Sequence, residues 1–179
     1  MEKEVKEASL PTANVCLSPT NLSVDPYYLA HHKEESFLRE ENVHGKLNFG
    51  RVYWGDGEVR ACGLKFNHAL GMHAPGEGRG WAEFKIPEGA RYFHTIFGHA
   101  DQGSSNASNT GIGRVFVDGY KLWEGAAGGD APYVVQLKPL AVPEFSRVLR
   151  LEVEIKTTPH CCHTTWLNPY FSANDTEML

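Results

Sequence analysis

The chain has 179 residues, 17 Lys and Arg against 22 Asp and Glu, a formal net charge of −5 and 41% hydrophobic residues. That is enough for one domain with a real core, in the ordinary range of globular composition. The acidic balance excludes a general attraction to nucleic acid phosphates or anionic lipid. No apolar run reaches transmembrane length, and four cysteines are too few for a disulfide scaffold at this size.

Residues 1–24 are polar, contain Pro11 and Pro19 and show no periodicity, so they read as an extension. The start, MEKEVKEASLPTANVC, is charged and has no apolar h-region. The expectation is an intracellular protein as the sequence stands, or an extracellular one if a leader has been trimmed. Asp25-Pro26 then looks like an N-cap followed by proline at the first helical position. Tyr27 to Asn42 is rich in Leu, Ala, Lys and Glu and predicts a helix that Gly45 could close; the alternative is an irregular charged arm.

From Leu47 onward short apolar stretches alternate with Gly, Pro, Asn and Asp clusters. The predicted strands are 51–54, 62–66, 81–86, 92–98, 113–118, 120–124, 133–137 and 147–156. Asp118-Gly119 lies between two alternating runs, a strong hairpin signal. In the last strand Leu149, Leu151, Val153 and Ile155 share one face and charges the other, so a core face and a solvated face are expected. Gln102 to Gly113 reads as an exposed polar loop. Eight or so short strands with frequent turns predict an all-β sandwich or jelly roll.

His160-Cys161-Cys162-His163 suggests zinc, but adjacent residues of an extended segment point to opposite faces. Structural zinc ligands are usually two or more residues apart. Neither zinc nor a disulfide is therefore expected there. The chain has no Gly-x-Ser-x-Gly, no His-Glu-x-x-His and no Gly-rich phosphate loop. Trp81 and Trp123 lie in strand patterns and read as core or sheet-face residues, while Trp54, at a strand-to-loop junction, is equally suited to be a sugar platform or a packing residue.

Three pieces recur in a known order: GLKFNHALGMHAP at 63–75, RVFVDGYKLWEG at 114–125, and Thr165-Trp166-Leu167-Asn168-Pro169. Together they resemble the family 51 carbohydrate-binding modules, also called NPCBM domains, over roughly Asn42 to Phe171. The resemblance implies a galactose-binding-like jelly-roll β-sandwich at 42–171, preceded by a partly helical extension at 1–41 and followed by a tail at 172–179. It implies a non-catalytic module that recognises glycans, galactose-type residues among them. The alternative is a structural or protein-interaction module on the same fold within a larger assembly, with the N-terminal arm reaching a partner. Nucleic acid and membrane insertion are not expected.

The ligand-binding residues that follow are Trp54, His73, His99, Asp101, His163 and Trp166. His73 matches the histidine of the HAP piece, His163 the histidine before the late Trp, and Trp166 that Trp, which also reads as structural. His99 stands where the family carries an acid, and Thr164 and Thr165 replace the acids beside its Trp. A structural calcium, which the resemblance also implies, would draw on loop acids such as Asp56, Glu58, Asp101 and Asp130.

Overall fold

The structure, a computed structural model, describes residues 26–52, 57–101, 109–156 and 163–175. In chain order the strands are β1 (Tyr27–Tyr28), β2 (Phe37–Glu41), β3 (Asn48–Phe49), β4 (Val59–Ala61), β5 (Leu64–Phe66), β6 (Leu70–Gly71) and β7 (Arg79–Lys85). They continue as β8 (Tyr92–His99), β9 (Gly111–Val117), β10 (Tyr120–Ala127), β11 (Val134–Gln136), β12 (Leu140–Ala141), β13 (Val148–Ile155) and β14 (Thr164–Ser172). A single helical turn, α1 (Lys33–Ser36), precedes β2.

One sheet runs β11-β8-β14-β6-β3, with β1 added to β14 and β12 to β8; the other runs β10-β9-β13-β7-β2. A small β4-β5 hairpin stands apart. The pairings are antiparallel, as a sandwich built from alternating strands requires. Phe93, Phe97, Trp166 and Phe171 of the first sheet and Phe84, Val115, Leu149, Leu151 and Val153 of the second form the main core. A smaller cluster of Val52, Val59, Ala61, Ala69, Ala100 and Leu167 lies at the β4-β5 hairpin.

The 118–119 hairpin forms as predicted. Tyr120 pairs with Val117, and Asp118 and Gly119 have φ of 47° and 85°. Positive φ at both central residues is the mark of a type I′ turn, whose twist suits the flanking strands. In β13, Leu149, Leu151 and Val153 are fully buried, as the alternation predicts. The opposite face is not simply solvated. Glu83, Arg114 and Glu152 are buried there in a lattice of charges: Arg114 meets Glu124 and Glu154 at 2.7 Å, and Arg150 meets Glu83 at 2.6 Å. Burial works against ionisation of Glu83, yet the Arg39 and Arg150 guanidiniums hold its carboxyl below the usual value. Trp81 is on this face too, with the Arg150 guanidinium 4.2 Å from its ring centroid.

Expectations of two kinds are corrected here. The helix over Tyr27 to Asn42 reduces to the one turn α1; Tyr27–Tyr28 pairs with β14 and Phe37–Glu41 with β7. The sandwich thus begins at Tyr27, not Asn42. Leu29 is fully buried and its amide donates to the Pro169 carbonyl at 3.0 Å. The Phe37 ring packs edge-on to Phe84. The charges that suggested a helix are those of an edge strand, where exposed Arg39, Glu40 and Glu41 discourage pairing with another chain. Second, Gly111 to Gly113 belong to β9 rather than to a loop, and Cys62-Gly63 form the β4-β5 turn rather than a strand. Residues 1–25, the 53–54 part of the first predicted strand, Gln102 to Ser108, Cys161 and Cys162 lie outside the described residues.

Candidate functional site

β6, β8 and β10 end, and β9, β11 and β14 begin, at the same end of the sandwich, so their loops meet there. The Met72 amide donates to the Thr164 carbonyl at 3.2 Å, and the Thr164 hydroxyl donates back to the Met72 carbonyl. The Ala100 amide donates to the His163 carbonyl at 2.9 Å. These bonds stitch the HAP segment, the end of β8 and the start of β14 together, and they bring four histidines into a row. The His44 and His73 ring centroids are 4.9 Å apart, and those of His73 and His163 are 5.8 Å apart. His99 lies near enough to His163 for that ring to disfavour its protonation.

His73 and His99 are buried, and desolvation pushes each down to about 4. For His73 the neighbouring His44, His163 and His99 push the same way, while its bond to the Ala74 carbonyl opposes. That bond, 2.6 Å from Nδ1, fixes the tautomer, since a carbonyl can only accept. His99 bonds the Ala127 backbone, and a Cβ on Gly128 would come within 2.5 Å of its Nε2. Gly128, with φ of 77°, therefore both makes the turn and leaves the space for the ring. These two imidazoles are neutral at neutral pH and order backbone.

Asp101 is half-buried at the same end. Its two carboxylate oxygens accept the Cys62 and Gly63 amides at 2.9 and 2.7 Å, and its own amide donates to the Arg60 carbonyl at 2.7 Å. It thereby clasps the β4-β5 turn, where Cys62 and Gly63 both have positive φ. Burial, and then the Asp101 carboxylate that accepts a hydrogen bond from its hydroxyl, push Tyr133 up. Trp166 is not at the surface. It is fully buried in the core, its ring centroid 4.7 Å from Phe97 and 6.1 Å from Trp123. A platform must offer a ring face to solvent, so Trp166 is corrected from ligand contact to core. Asp130 is exposed on the turn after β10. Trp54 and Asp56 lie outside the described residues. Among those described, no three His, Cys, Asp or Glu side chains come together to hold a metal ion, and the Asp101 oxygens already serve backbone amides.

No protein-family model matches this sequence, and no curated protein matches it either. Solved structures do. The CBM51 domain of Clostridium perfringens GH95, solved in complex with methyl-galactose, superposes with a TM-score of 0.67 at 15% identity, covering 83% of this chain and 100% of that one. The Clostridium perfringens ZmpB fragment with CBM51-2 and INT domains gives 0.68 at 18% identity over 83% of this chain, and the same domains in complex with GlcNAc give 0.65 at 19%. This chain has the fold of a CBM51 domain. It spans 31% of the length of each of those ZmpB fragments.

On this CBM51 fold the structure brings His73, His99, Asp101 and His163 to one end, and Trp166 lies in the core beneath them. Sequence reasoning missed two groups there. His44 is exposed and stands next to His73, its amide donating to the His73 carbonyl at 3.2 Å. Tyr133, half-buried, joins Asp101. His44 is set only by a loop crossing from β2 to β3, a long-range placement with no local signal. Tyr133 opens a predicted strand and carried no motif.

Proposed function

We propose that this chain is a non-catalytic glycan-binding module whose sugar-facing surface is the histidine end of the sandwich. In this reading His44, Arg60 and Asp101 offer polar groups at the surface, and the buried His73, His99 and His163 keep the loops beneath them in one arrangement. A rigid donor and acceptor set limits the ordering entropy that a weak sugar ligand must offset. The observation that carries the reading is the superposition on a whole CBM51 domain solved with methyl-galactose. The relatives are solved with methyl-galactose and with GlcNAc, so the sugar is not set by fold.

A protein-interaction module on the same fold is the second reading, favoured by the burial of His73, His99, His163 and Trp166, which removes four expected sugar contacts. A glycan array on the folded chain, run beside a pull-down from the native source, separates the two. Selective glycan binding that falls when His44→Ala is introduced supports the first. A stoichiometric protein complex with no glycan bound across the array replaces it with the second.

A further inference from the structure

The opposite end of the sandwich, where β7 stops at Lys85 and β13 starts at Val148, holds a cleft of about 910 Å³. Its walls are the 86–91 and 142–147 loops. Hydrogen bonds fix both: the Ile86 amide donates to the Arg147 carbonyl at 2.9 Å, and the Val142 amide to the Arg91 carbonyl at 2.8 Å. From the 118–119 turn, Asp118 accepts the Arg147 amide. The cleft is therefore preorganised and within the usual size of ligand sites.

Phe145 stands at its lip, 88% exposed. It has φ of 67° at the third position of the turn 143–146, closed by the Ser146 amide on the Pro143 carbonyl at 3.2 Å. That position of a type II turn favours glycine, and a bulky residue there is a backbone outlier. Local stability thus argues against the residue that is present, and a large apolar ring lies in water. Floor residues Ile86 and Val142 are apolar and buried. The charged lining is balanced, with Lys85, Arg91 and Arg147 set against Glu35, Glu88 and Glu144. A ligand with net charge of either sign meets as much repulsion as attraction. An uncharged polyhydroxyl ligand instead meets donors and acceptors in equal supply beside an aromatic face.

We infer that this cleft is a second carbohydrate subsite, with the Phe145 ring as the stacking platform and Arg91, Glu144 and Arg147 as hydroxyl partners. This rests on the glycan-binding reading above. The test is an amide-resolved NMR titration of the full chain with methyl-galactoside, N-acetylglucosamine and lactose. At least one sugar should give saturable shifts in the 86–91 and 142–147 amides. Phe145→Gly should weaken those shifts at least tenfold without lowering the melting temperature, because glycine suits φ of 67°, and Phe145→Tyr should keep them. Saturable shifts confined to the His44 and Asp101 end overturn this subsite and leave the glycan-binding reading standing. Shifts at 142–147 that survive Phe145→Gly also overturn it. No shifts anywhere with the three sugars overturn both.

Discussion

Asp118 and Val148 are bonded in both directions: the Asp118 amide donates to the Val148 carbonyl at 2.9 Å, and the Val148 amide donates to the Asp118 carboxylate at 2.9 Å. A hairpin turn is thus pinned to the strand beside it. Asp118→Ala removes an ionised acceptor from two backbone amides and puts alanine at φ of 47°. It should destabilise by about 1–3 kcal/mol in chemical denaturation. Asn, which tolerates the left-handed region and keeps an acceptor, should cost less. Gly119→Val should also lose about 1–3 kcal/mol, from backbone strain alone, because nothing stands within 4 Å of a Cβ there. An unchanged denaturation midpoint for Gly119→Val would mean that the turn is not type I′.

Trp166 carries the core where both sheets meet. Trp166→Ala should cost about 3–5 kcal/mol. Its neighbour Phe97 lies over Gly113, where a Cβ would come within 2.8 Å of the ring. Gly113→Ala should therefore destabilise as well, by forcing the ring or the strand to move. A Trp166→Ala chain that keeps its melting temperature while losing sugar affinity would return Trp166 to the ligand site.

Acid should unfold the protein through its histidines. In the fold His73 and His99 are held down to about 4, whereas an unfolded histidine titrates near 6.5. Between those values the unfolded chain binds more protons, so stability is complete above about pH 6.5 and falls as pH drops toward 4. The loss is on the order of 3 kcal/mol for each buried ring. Thermal melts at pH 7, 5.5 and 4.5 check this. His99→Gln should flatten the slope, and an unaltered slope would show that His99 is not a source of it.

Removal of residues 1–41 should prevent folding. It deletes β1, the edge strand β2 and the buried Leu29, exposing β7 along its length. Circular dichroism and a melt of the chain from Asn42 onward would show it. A cooperative melt at the full-length temperature would restore the boundary at Asn42.

What the sequence made legible was local. Asp118-Gly119 names its own turn, and the alternation of Leu149, Leu151 and Val153 names its buried face, because both depend on residues next to each other in the chain. Phe37 to Glu41 did not read as a strand, since a charged edge strand has helix-favouring composition and is defined only by pairing with residues 81–84. The same holds at the histidine end. His73 and His163 are 90 residues apart in sequence, and no local pattern says that they meet, or that His99 faces inward. Trp166 carried a motif suited to a platform and to a core alike; only its burial decides. Phe145 had no pattern to mark it, because its interest lies in a φ that sequence does not print.

On the proposed function, this CBM51-like fold binds sugar without acting on it. Isothermal titration of the folded full chain with methyl-galactoside and N-acetylglucosamine measures it most directly, with chromatography of the titrated sugar and of lactose afterwards. Saturable binding to at least one sugar is expected, with a dissociation constant on the order of 1 mM, because a single ring has few contacts to set against lost freedom. The sugars should be recovered intact, and His44→Ala should bind more weakly. No heat beyond dilution with either sugar, from a chain shown to melt cooperatively, or cleavage of lactose, would contradict it.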